Sequence, residues 1–167
     1  YDGTTLVSLS ADNFNVTGLV ANEGLTLNSA TGNFASKDVG TGLNVTTEIS
    51  QVLFQPNSGT TLSNYIIPTS ASGAIGEITP KALTVALTGT ASKAYDGQPN
   101  VLLASSNYLL SGVGSGDSLT VNQSQGTLAS KDVGSNISVK ATLAPANFVA
   151  GSGTLLSNYT LPSIELI

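Results

Sequence analysis

Residues 81–89 read KALTVALTG. Leu83, Val85 and Leu87 occupy every second position, with Thr84, Ala86 and Thr88 on the others. Successive side chains of a strand point to opposite faces, so this spacing predicts a half-buried β-strand with one apolar side. The same alternation runs through LNVTTEI (residues 43–49) and ISVKATL (residues 137–143). GLTLNSATGNFA (24–35) and SLTVNQSQGTLA (118–129) each read as two short strands around a polar turn near Gly32 or Gly126. No stretch keeps helical spacing, and Gly, Asn and Ser punctuate the chain at short intervals. The pattern predicts an all-β fold of small, sandwich-like modules of immunoglobulin-like size. A single helical turn is expected in SGTTLSNY (58–65), where Ser and Thr can cap it. The alternative is therefore a β-grasp-like sheet with one short helix.

Most of these phrases occur twice. YDG stands at 1–3 and 95–97, SKDVG at 36–40 and 130–134, and LSNY at 62–65 and 156–159, each pair 94 residues apart. A fixed period of this length marks tandem copies of one small domain. The expected modules are residues 1–79 and 80–167, set end to end as an elongated rod. Almost no free linker separates them, and Pro80 holds Thr79 extended. The first copy carries no counterpart of KALTVALTG. Its sheet should therefore present an open edge, a template for a neighbouring segment or chain.

Composition narrows the chemistry. The chain has 167 residues, 40% of them apolar, a net charge of −5, and neither His nor Cys. Without His it lacks the commonest general base and metal ligand. Without Cys it has no disulfide, thiolate nucleophile or zinc–thiolate site. Five basic residues are too few for the clustered cations that hold nucleic acid, so no nucleic-acid partner is expected. No apolar run reaches the ~18 residues of a membrane helix, so membrane insertion is not expected.

The repeated motifs read as architecture. In SKDVG, Lys37, Asp38 and Gly40, like Lys131, Asp132 and Gly134, should form a turn between strands, with Asp bonding nearby amides and Gly free to take positive φ. Ser–Lys chemistry at Ser36–Lys37 or Ser130–Lys131 is disfavoured, because adjacent residues on a strand point apart. No catalytic residue is assigned. Tyr1, Asp2 and Gly3, and again Tyr95, Asp96 and Gly97, should form tight turns in which the ring packs and the hydroxyl finds a partner. Tyr65 pairs with Tyr159, Phe14 with Tyr108 and Phe54 with Phe148 across the period, so packing accounts for every aromatic. Glu23 and Asp117 are weak calcium candidates at equivalent loop positions, and no cofactor is required. Five N-x-[ST] sequons, at Asn15, Asn44, Asn122, Asn136 and Asn158, are possible glycosylation sites.

The motifs also carry a resemblance. ITPKALTVALTGTASKAYDG (78–97), GLVANEGLTLNSATGNFASKDVGTGLNV (18–45) and the closing LSNYIIP and LSNYTLP resemble the YDG- and MBG-type tandem repeats of filamentous-haemagglutinin-like bacterial surface exoproteins. The resemblance spans nearly the whole chain, departing at PSIELI (162–167). It implies a secreted or cell-surface adhesin whose arrays form stalks or adhesive fibres in cell attachment and biofilm formation. Neighbouring modules or other copies of the chain would be the partners, and no enzymatic motif is carried over. The alternative is a glycan- or polysaccharide-binding module of the same adhesin, reading its ligand with loop-tip residues such as Asn107 and Asn147.

Overall fold

A computed structural model describes residues 1–167 as sixteen short strands and six three-residue 3-10 turns, with no α-helix. The fold is all-β. The chain divides into two units, one of Thr4–Ile78 and the other of Tyr1–Gly3 with Thr79–Ile167. The first three residues, placed with module one by the sequence, thus pack with the second copy.

In the Thr4–Ile78 unit, β1 (Leu6–Leu9), β3 (Ala30–Phe34), β4 (Gly40–Glu48) and β6 (Ser70–Ile78) form an antiparallel sheet in the order β1-β3-β4-β6. β2 (Leu25–Leu27) pairs separately with β5 (Phe54–Pro56). Alternation does its work in β4, where Val45 and Thr47, with Ile49 just beyond the strand, are buried while Asn44, Thr46 and Glu48 face water.

The second unit repeats this plan. β9 (Asn100–Leu102), β12 (Gln125–Leu128), β13 (Val139–Leu143) and β16 (Ile164–Leu166) form the equivalent sheet, and β11 (Leu119–Val121) pairs with β14 (Phe148–Ala150). It also holds four strands without partners in the other unit. β8 (Thr84–Leu87) runs antiparallel to β10 (Tyr108–Ser111), setting Leu87 opposite Tyr108 and Val85 opposite Leu110. β7 (Lys81–Ala82) runs parallel to β15 (Tyr159–Thr160). Val85 and Leu87 pack against a core that includes Leu103, Tyr108, Val121, Leu143 and Phe148. Leu83 joins Leu119 and Tyr159 in a second cluster. Burying a side chain of this size stabilises by about 1.5–3 kcal/mol.

The 3-10 turns have one role. Each ends on an aromatic, Phe14, Phe54, Tyr65, Tyr108, Phe148 or Tyr159, whose N–H donates to the carbonyl three residues earlier. Three carry a brace in which the Oδ1 of Asn13, Asn107 or Asn147 accepts the N–H of Ser10, Ala104 or Ala144 at 2.8–2.9 Å. The expected helical turn in 58–65 is one of these, at Leu62–Asn64.

Gly32 and Gly126 are not turn residues. They lie inside β3 and β12. A Cβ on Gly32 would meet Thr46 O at 3.0 Å and Leu9 and Val45 at 3.1 Å; one on Gly126 would meet Leu103 at 2.9 Å and Val139 at 3.0 Å. Glycine is used here so that core side chains can cross the strand closely.

Candidate functional site

A polar cluster gathers around Tyr1 in the unit formed by Tyr1–Gly3 and Thr79–Ile167. The loop before β11 turns through Asp117 N–H to Gly114 O at 3.1 Å, with Gly116 at a φ of 82°. This turn presents the Gly114 N–H to the Tyr159 hydroxyl at 2.8 Å. The Tyr159 hydroxyl in turn donates to Asp117 Oδ2 at 2.6 Å, and the Tyr1 hydroxyl donates to the same oxygen at 2.7 Å. The two rings meet edge to face, 5.5 Å apart at 76°, an arrangement favoured by ring quadrupoles. The Tyr1 amino group donates to Thr79 O at 2.7 Å. Gly3 follows at a φ of 86°, and a Cβ there would lie 3.0 Å from Ser115 O. Within this YDG, the tyrosine makes the contact and the glycine lets the backbone approach.

Both phenols must stay protonated to donate. Burial, and then the adjacent Asp117 carboxylate, push the Tyr159 pKa from 10.0 up to about 12. Burial also raises Tyr108. A phenol whose pKa is higher in the folded than in the unfolded chain stabilises fully below the unfolded value and loses that stabilisation as pH rises through the folded one. The second unit should therefore keep its stability up to about pH 10 and lose it towards pH 12. The Tyr159 share is on the order of 1–2 kcal/mol, allowing for screening by nearby water. Urea denaturation across this range is the check, and Tyr159→Phe should flatten the slope.

The other unit carries the same framework 94 residues earlier. The Tyr65 hydroxyl donates to Glu23 and accepts the Val20 N–H at 3.2 Å. The Glu23 bond raises the Tyr65 pKa, and the Val20 N–H opposes it. Thr60 Oγ1 accepts the Gly24 N–H at 3.0 Å, as Thr154 Oγ1 accepts the Ser118 N–H at 2.9 Å. Glu23 and Asp117, weighed as calcium ligands from the sequence, both sit against tyrosine hydroxyls. No three acidic side chains gather into a cage. Thr60 lies in the 58–65 stretch whose Ser and Thr were expected to cap a turn, but it and Thr154, in the same repeated SGT before LSNY, bond the Gly24 and Ser118 amides instead.

Tyr95 departs from its twin. It is 62% exposed, against the expectation that every aromatic is packed. Its turn nonetheless forms. Gly97 has a φ of 76° and Asp96 Oδ1 accepts the Gln98 N–H at 2.9 Å. Lys93, paired with Asp96, draws that carboxyl below its usual range.

In SKDVG the turn is made by serine. Ser36 Oγ accepts the Asp38 N–H and Ser130 Oγ the Asp132 N–H, both at 3.1 Å. Gly40 and Gly134 have no positive φ, contrary to expectation. They make room for Leu43 and Ile137, whose side chains a Cβ would meet at 3.1 and 3.3 Å. Lys131 pairs with Asp132 at 3.1 Å rather than with Ser130. The Asn107 and Asn147 side chains brace 3-10 turns, and Asn107 Nδ2 also donates to Thr88 O at 3.1 Å. Of the sequons, Asn15, Asn44, Asn122 and Asn136 are exposed, whereas Asn158 is 0% exposed and closed to a modifying enzyme in the folded state.

A family model described as the YDG domain matches residues 1–73 and again 79–165. The second match takes in the β7 and β8 strands ahead of its Tyr-Asp-Gly, and the first begins at that tripeptide. No curated protein and no solved structure matches the chain significantly.

Proposed function

The chain belongs to the YDG domain family in both of its copies, and from this we propose that it is a load-bearing structural repeat of a large secreted or cell-surface bacterial adhesin of the filamentous-haemagglutinin-like kind. Its role is to carry a stalk or adhesive fibre in cell–surface or cell–cell attachment and biofilm formation. Its partners are neighbouring modules or further copies of itself.

One observation carries this reading. Tyr1 of the first sequence copy bonds Asp117 and stacks on Tyr159 of the second. The tripeptide at 1–3 is thus spent on packing inside the unit it forms with Thr79–Ile167. The other duplicated polar residues, in the turns, the braces and the Thr60 and Thr154 bonds, are likewise spent on folding. A sparsely charged chain rich in Ser, Thr and Asn suits a secreted fibre.

Pulling the chain from its two ends with a force probe tests it. Two separate force peaks are expected, releasing about 260 and about 320 Å of contour at ~3.5 Å per residue. Smooth extension without peaks would remove the load-bearing role. Specific binding of a glycan by the folded chain would move it to the recognition class.

A further inference from the structure

We propose that the Thr4–Ile78 unit is completed by a β-strand of the Lys81–Leu87 pattern, supplied by another copy of the same module. The unit has a groove of about 380 Å³ lined by Phe14, Val16, Leu25, Phe54, Tyr65 and Ile67 among others, with no charged residue. Ninety-four residues on, the equivalent side chains lie under β7 and β8. Tyr108, Leu119, Phe148 and Tyr159 are buried there, whereas Phe14, Leu25, Phe54 and Tyr65 are only half-buried.

The backbone gives the same answer. Residues 14–17 and 65–66, the equivalents of β10 and β15, form no strand. In the completed unit, β8 pairs with Tyr108–Ser111, and the Leu83 N–H donates to Thr160 O at 3.2 Å. Transferring this register sets Leu87 of the incoming strand opposite Phe14 and Val85 opposite Val16. Leu83 falls between Leu25 and Tyr65, as it falls between Leu119 and Tyr159 in the filled unit. Thr84 and Ala86 face outward. Strand addition of this kind takes affinity from the main-chain ladder and selectivity from alternate side-chain pockets. Three uncharged pockets at two-residue spacing select an apolar-alternating strand and reject a charged one.

The inference goes beyond the load-bearing reading, and the pulling result does not depend on it. The test joins a second copy of residues 81–94, KALTVALTGTASKA, directly ahead of Tyr1 in the full chain, as the original precedes Tyr95. Amides of residues 14–17 and 65–66 should gain at least about tenfold protection from hydrogen exchange, because paired strand amides open only with their unit. Val85→Asp with Leu87→Asp in the added copy alone should abolish the gain. Unchanged exchange, or equal protection by the Asp-bearing copy, would overturn the proposal. If the extended chain does not fold, free KALTVALTG peptide is titrated into the 167-residue protein. Saturable one-to-one amide shifts at residues 14–17 support the proposal, and no shifts at millimolar peptide overturn it.

Discussion

Phe148→Ala should lower the stability of the Thr79–Ile167 unit by about 3–5 kcal/mol, the range for emptying a closed aromatic site in a core. Phe148 is 3% exposed and packs with Leu103, Tyr108, Val121, Leu143 and Leu166. Val85 and Leu87 close that core. Its equivalent Phe54 is half-buried and faces the open groove. Phe54→Ala should therefore cost its own unit only about 1–2 kcal/mol, since less apolar surface leaves water on folding. Denaturation followed by amide resonances of each unit reads the two values separately. Equal losses would mean that β8 adds nothing to the enclosure of the aromatic.

The second large effect is expected at Asp117. Its Oδ2 accepts from two tyrosine hydroxyls, and hydrogen bonds to a charged group are worth about 1.5–3 kcal/mol each. Asp117→Ala leaves the Tyr159 hydroxyl buried with one acceptor fewer, and should cost about 2–4 kcal/mol. It should also release the Tyr1 ring, weakening the near-ultraviolet circular dichroism of the tyrosines. Glu23→Ala removes a single bond to the half-buried Tyr65 and should cost clearly less than Asp117→Ala. If Asp117→Ala is as mild as Glu23→Ala, the Tyr1 contact contributes nothing.

The period of 94 made much of this visible before any coordinates. Alternation in residues 43–49 and 137–143 correctly foretold β4 and β13, because one buried face leaves a two-residue rhythm in the letters. Local letters failed where a distant partner decides. Gly32 and Gly126 look like turn residues, yet each is a glycine because Leu9 and Val45, or Leu103 and Val139, cross over it. The 3-10 turns ahead of Phe14, Phe54, Tyr108 and Phe148 were missed because three residues carry no periodicity. The Asn before Phe14, Tyr108 and Phe148 was the available cue. At the site, Glu23–Tyr65 and Asp117–Tyr159 share a separation of 42 residues, which pairs acid with phenol in both copies. Reading the acids as calcium ligands overlooked that regularity. The difference between packed Tyr1 and exposed Tyr95 could not be read at all, since the two share the same tripeptide and differ only in what they meet.

A double-mutant cycle reports on the Tyr1–Asp117 contact most directly. Tyr1→Phe and Asp117→Ala are made singly and together, and the denaturation midpoint of the Thr79–Ile167 unit is measured for all four proteins. The Tyr1–Asp117 contact predicts a coupling energy of about 0.5–3 kcal/mol, with Tyr1→Phe nearly silent once Asp117 is gone. Additive losses would show that the tyrosine of the first copy and the aspartate of the second act independently, contradicting the account.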